Sequence, residues 1–143
     1  MTQQFPTNPQ VIYDTLVADA TFMSYVGEYT FRAGQVTPSI SIVTPGADLP
    51  AVKKATGVEV VIHDTAELSR KEYLSGSADI EAKWTVFLIC WEEATGTDMT
   101  LAAIRVLEIF AGSNSYETVS VADGLGALVQ TAIQIPSDMP ILA

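Results

Sequence analysis

The stretch ADIEAKWTVFLICWEE, residues 78–93, constrains the fold more than any other part of the chain. Its alternation predicts a strand with two faces of different character. Ile80, Ala82, Trp84, Val86, Leu88 and Cys90 make one face, apolar throughout. Glu81, Lys83, Thr85, Phe87, Ile89 and Trp91 make the other, which begins charged and turns apolar after Thr85. One half of this strand therefore needs cover on both sides. Whatever lies over Phe87, Ile89 and Trp91, be it the chain's own helix or another subunit, decides what the domain is for.

A strand of this kind needs helices to roof it, and two segments qualify. Asn8 is a good N-cap and Pro9 a good first helical residue; Ile12, Leu16, Ala20 and Met23 then recur at helical spacing, broadened by Tyr13 and Val17, up to Gly27. Asp98 can cap a second helix, MTLAAIRVLEIFAG, with Met99, Ala103, Val106, Leu107 and Phe110 as its apolar stripe. Arg105 and Glu108 fall on its wet side and Gly112 at its end.

The remaining segments read as strands. EYTFRA (28–33) and PSISIVT (38–44) are short, and ADLPAVKKATG (47–57) is a connection with room for a turn of helix. GVEVVIHD (57–64) sets Val58, Val60 and Ile62 against Glu59, Val61 and His63. The polar stretch 65–78 reads as a long projecting loop that joins this strand to the opening one in an antiparallel hairpin. SYETVSV and ALVQTAIQIP complete the sheet, and the tail 137–143, with Pro140 close after Pro136, is extended and unfit for a central strand. The expected fold is a single α+β domain over residues 1–143: a mostly antiparallel sheet of about five to six strands, with two main helices packed on one face.

That arrangement leaves the second sheet face bare. Val61, Phe87, Ile89 and Trp91 are accordingly expected to form an oligomer interface. Composition agrees: only 17% of residues are charged and mean hydropathy is +0.28, so part of the surface is expected to be covered by partners. A formal net charge of −10 disfavours a grip on nucleic-acid phosphates. No stretch has the length of a membrane helix and no export signal is recognisable, so a soluble protein is expected, and the single Cys90 suits a small buried hydrophobe in a reducing compartment.

Chemistry-bearing patterns are sparse. His63-Asp64 lacks a nucleophile in a recognisable context and reads as a surface imidazole at a strand end. One His and one Cys do not make a zinc site, and Glu92-Glu93 alternate across a strand instead of converging. The glycines of ADGLGAL (122–128) precede a strand and read as turn residues, not as a phosphate loop. Arg70-Lys71, flanked by acids, reads as a solvated segment able to make charge-paired contacts with a protein. No enzymatic activity, cofactor or metal is expected.

The capped first helix, GVEVVIHD, the stretch through AELSRKEYL, AKWTVFLICWEE and the helix TLAAIRVLEIF followed by two strands together resemble the tail terminator (tail completion) proteins of tailed bacteriophages, over residues 8–136. The resemblance implies a virion protein of the tail or neck region, assembled in the host cytoplasm. Such subunits form a six-membered homo-oligomeric ring that caps the tail tube, ends its polymerisation and joins it to neck or head. It implies the tail tube protein and the neck or head-tail connector proteins as partners, with DNA passing through the ring without sequence-specific recognition, and no membrane. It also makes Glu67, Arg70, Lys71 and Tyr73 candidates for partner contact. A head-completion or neck adaptor, a tube protein, and, in a different class, a small-molecule-binding α+β domain remain alternatives.

Overall fold

The computed structural model describes residues 5–31, 34–45, 54–91, 96–123 and 126–141. It is an α+β fold around a five-stranded sheet of order β3-β5-β6-β8-β7. The strands are β3 (Ile40–Val43), β5 (Val58–Glu72), β6 (Ala78–Cys90), β7 (Asn114–Asp123) and β8 (Gly126–Pro140). All neighbours run antiparallel except β3, which lies parallel to β5. A small sheet of order β2-β1-β4 joins β1 (Glu28–Thr30), β2 (Val36–Pro38) and β4 (Lys54–Thr56). β4 falls within the stretch expected to hold a turn of helix; residues 47–53 of that stretch lie outside the described part.

Helices α1 (Pro9–Ala18) and α3 (Gly96–Ile109) pack on one face of the large sheet, α1 over β3 and β5, α3 over β6, β7 and β8. Beneath them Val58, Val60, Ile62, Val86, Leu88, Ile133 and Ile135 are all at most 1% exposed. This is the core, and the alternation of β5, β6 and β8 is what assembles it: every second residue of each strand meets the helices. The N-terminal segment extends the roof. Phe5 meets Trp84 edge to face at 6.0 Å, the Trp84 indole donates to the Thr7 carbonyl, and the Thr7 N–H donates to Ser137 on β8.

The first helix is shorter than its periodicity predicts. Asn8 caps it as expected, accepting from the Val11 N–H. At Asp19 the backbone turns extended (φ −91°, ψ 104°), and the Asp19 carboxylate caps a new helical turn, α2 (Ala20–Met23), by accepting from the Phe22 N–H. The break resets the helical phase. Phe22 becomes fully buried, Met23 packs at the core's margin, and Ala20 and Val17 are exposed. A local Asx hydrogen bond has here outcompeted continuation of the helix. α3 shows a smaller difference: it begins at Gly96, with Asp98 inside its first turn, and buries Met99, Ala102 and Val106, with Phe110 buried just beyond its end, while Leu107 is 37% exposed.

Residues 65–78 are not a loop. β5 continues to Glu72 and pairs with β6 from Glu72↔Ala78 back to Ala66↔Trp84; the turn is confined to Tyr73–Ser77. The strand passes through an irregularity in which His63, Asp64 and Thr65 stand opposite Thr85 alone, after which the same faces resume. The polar run that reads as a strand end is a bulge. The hairpin does run past its outer strand: β3 ends at Val43, and among the described residues no strand pairs with β5 on that side beyond His63.

The tail is likewise strand as far as Pro140, paired with β6 through Asp79↔Pro140. Proline is tolerated because of parity. The Ile141 N–H donates to the Ala78 carbonyl, so odd-numbered residues of β8 direct their N–H to β6, and Pro136 and Pro140 lack theirs on the other side. There β7 begins only opposite Gln134, so among the described residues no strand pairs with that edge beyond it.

Candidate interaction surface

The register places Val61 beside Phe87 and Glu59 beside Ile89, with Ala132 and Gln130 following on β8. All lie on the face away from the helices, together with Ser41, Val43 and His63. Val61, Phe87, Ile89 and Trp91 are each partly exposed, in contrast to the sealed residues between them. The four residues singled out from the sequence thus do come together on one side of the sheet.

They are not equally open. Tyr29 of the small sheet is 3% exposed, and its hydroxyl meets Ser41 (3.1 Å) and the Glu59 carboxylate. The other Glu59 oxygen accepts from the Trp91 indole at 3.0 Å. Burial, reinforced by donation to Glu59, pushes the Tyr29 phenol well above its ordinary range, so it serves as a neutral donor. The small sheet therefore ties down the Trp91 end of the face. Nothing in the strand pattern announces this, since Tyr29 is thirty residues from Glu59 and belongs to another sheet.

The centre of the face is left to Val61, Phe87 and Ile89. His63 lies against Phe87 with ring centroids 4.6 Å apart. It is half-buried on the sheet and not at a strand end, and burial lowers its pKa against the opposing pull of Asp64. The Asp64 carboxylate accepts from the Thr44 hydroxyl at 2.7 Å. This arrangement places His63 on the same side of the sheet as Val61, Phe87 and Ile89.

Glu67, Arg70 and Lys71 lie on β5 in the projecting arm, and Tyr73 starts its turn. Each already has a partner within the chain. Glu67 accepts from Gln134 (3.4 Å), Arg70 meets Glu72 (2.8 Å), and Tyr73 donates to Asp79 (2.8 Å). Lys71 stands between Glu81 (3.8 Å) and Asp138 (3.7 Å). These are exposed pairs worth little to stability, and a partner can displace them at small cost.

Among the described residues no group of three or more His, Cys, Asp or Glu is placed to hold a metal ion, and no helix is long and apolar enough to cross a membrane. Cys90 is buried on the helix side of β6. An open groove lined by Met23, Val26, Gly27, Glu28, Val36, Thr37 and Pro38 lies beside the small sheet. Glu92 and Glu93, and the Gly124-Leu125 connection between β7 and β8, fall outside the described residues.

No family model matches the chain, and no curated protein matches it. Among solved structures, a chain described as belonging to the virion of a native gene transfer agent particle shares the fold, with a TM-score of 0.57. The match covers 93% of this chain and 94% of that one, at 12% sequence identity.

Proposed function

We propose that this chain is a structural, non-enzymatic protein of a phage-like particle, and within that class a tail terminator: a subunit of a closed ring, six-membered in the family it resembles, that caps the tail tube and joins it to the neck. The observation that carries the reading is the sheet with one roofed and one open side, where Val61, Phe87 and Ile89 are left partly exposed. In an isolated chain that surface has no reason to be apolar; in a ring it is covered by a neighbour. The agreement in fold with a gene transfer agent virion chain, over nearly the whole of both, supports the assignment to a virion. The net charge of −10 suits a component that DNA passes without being gripped.

Multi-angle light scattering and negative-stain images of the purified protein, alone and with tube protein, test the proposal. Closed rings that stop tube growth are expected. A monodisperse monomer at every concentration, even with tube protein present, refutes it, and extended tubes of this chain alone identify it as a tube component instead.

A further inference from the structure

The projecting arm has an apolar side of its own. Beyond the bulge, β5, β6 and β8 continue as three strands in which Leu68 neighbours Ala82 and Ser137, and Arg70 neighbours Ile80 and Met139. By alternation Leu68, Ile80 and Met139, with the exposed Arg70–Glu72 pair beside them, point to the side where the helices lie, but the roof ends before the arm does. Ala82 is sealed, Ile80 and Met139 are half-exposed, Leu68 is 66% exposed and Leu74 in the turn is fully exposed. The arm's other side carries Lys71 among Glu81 and Asp138, with Lys83 near Glu81, a surface that water satisfies. Only one side of the arm calls for cover.

We propose that this side of the arm in one copy docks on the open sheet face of the next copy, with Leu68 and Leu74 set against Phe87 and Ile89. The inference rests on the ring reading above and names the contact that builds it. The two surfaces lie on opposite sides of one continuous sheet, so neither can cover the other within a chain. A second copy brings both requirements at once. Copies of a chain with net charge −10 repel one another, and these two patches carry no unpaired acid: on the arm Leu68, Ile80 and Met139 stand beside the Arg70–Glu72 pair, and on the face Val61, Phe87 and Ile89 stand beside Glu59, which Tyr29 and Trp91 already engage. Reach is sufficient. Residues 66–72 extend roughly 20 Å, against about 19 Å across a five-stranded sheet. Because the patches differ, each contact leaves one of each free for a further copy, as a ring requires.

The test uses two variants of the full chain, Leu68→Asp with Leu74→Asp on the arm, and Ile89→Asp on the face. Each alone is expected to raise the concentration needed for assembly about tenfold or more, as loss of an interface anchor does. Mixed, they retain one intact arm and one intact face between them, so a 1:1 heterodimer that grows no further is expected in sedimentation velocity. An arm variant that assembles like the wild type overturns the docking while leaving the ring reading standing, and so does a mixture that yields no heterodimer. Wild-type protein that never assembles, even with tube protein, removes both. If Ile89→Asp loses cooperative unfolding, two copies carrying Leu68→Cys and Ile89→Cys carry the test: a disulfide between copies supports the contact, and its absence while rings form overturns it.

Discussion

His63 lies against Phe87, ring centroids 4.6 Å apart and planes inclined at 57°, on the side of the sheet away from α1 and α3. The stack holds the imidazole partly out of water, and burial depresses its pKa below the ordinary 6.5. Between the folded and unfolded values the unfolded chain binds more protons, so stability rises with pH through that window and is lost as pH falls through the folded value. Urea unfolding at about pH 5 and pH 7 should show the wild type losing stability toward acid, and His63→Gln should flatten that part of the profile. An unchanged slope in the variant would show that the dependence comes from carboxylates.

Gly27 is held where three backbone segments meet. Its N–H donates to the Val58 carbonyl, its own carbonyl accepts from Ser39, and a Cβ added there would lie 1.8 Å from the Thr56 oxygen. Backbone cannot swing aside as a side chain can. Gly27→Ala is therefore expected to cost at least about 2–3 kcal/mol in chemical denaturation, the upper range for overpacking. Gly112→Ala, with a Cβ 3.2 Å from Pro136 and a φ of +77°, is expected to destabilise through backbone strain instead.

Much of this arrangement is legible in the residues themselves, because strand period two is a local property. The alternation of 78–91 sorts its residues onto the faces the structure shows, and Asn8-Pro9 marks the start of α1. The arm is a different matter. His63-Asp64-Thr65 has the composition of a strand end, and only pairing can show it to be a bulge. Counting back from Cys90↔Val58 does reveal that the distal half of a strand reaching Ala78 needs a partner near Glu72. Asp19 could have been read as a cap three residues before Phe22, had the helical stripe not continued so well through it. The contact of Tyr29 with Glu59 depends on how two sheets meet, which no local pattern encodes.

Asp19 has a second role besides capping α2. Arg105 of α3 grips its carboxylate, with Nη2 to Oδ2 at 2.7 Å and Nε to Oδ1 at 3.2 Å. That bond first, and the Phe22 N–H second, hold the Asp19 carboxyl below its ordinary pKa of 3.8. A lowered carboxyl pKa contributes stability above the unfolded value that disappears as pH falls through the folded one. Asp19→Asn keeps an acceptor for Phe22 but loses the ion pair, whereas Asp19→Ala loses both. Thermal melts should rank wild type above Asn above Ala, with the gap between wild type and Asn closing as pH falls below the ordinary carboxylate range.

Leu88 and Ile89 are chain neighbours on opposite sides of β6, and this makes them the sharpest comparison the fold offers. Leu88 is fully buried beneath the helices, so Leu88→Ala should cost about 2–5 kcal/mol of unfolding free energy, and Leu88→Asp should abolish cooperative folding. Ile89 faces the other way and is partly exposed, so Ile89→Asp removes little that the single chain relies on. Its melting transition should stay cooperative while particles larger than a monomer vanish from light scattering. Equal damage to folding from the Asp substitutions would mean that the chain seals both sides of its sheet unaided. Intact assembly in folded Ile89→Asp would place the subunit contact elsewhere on the surface.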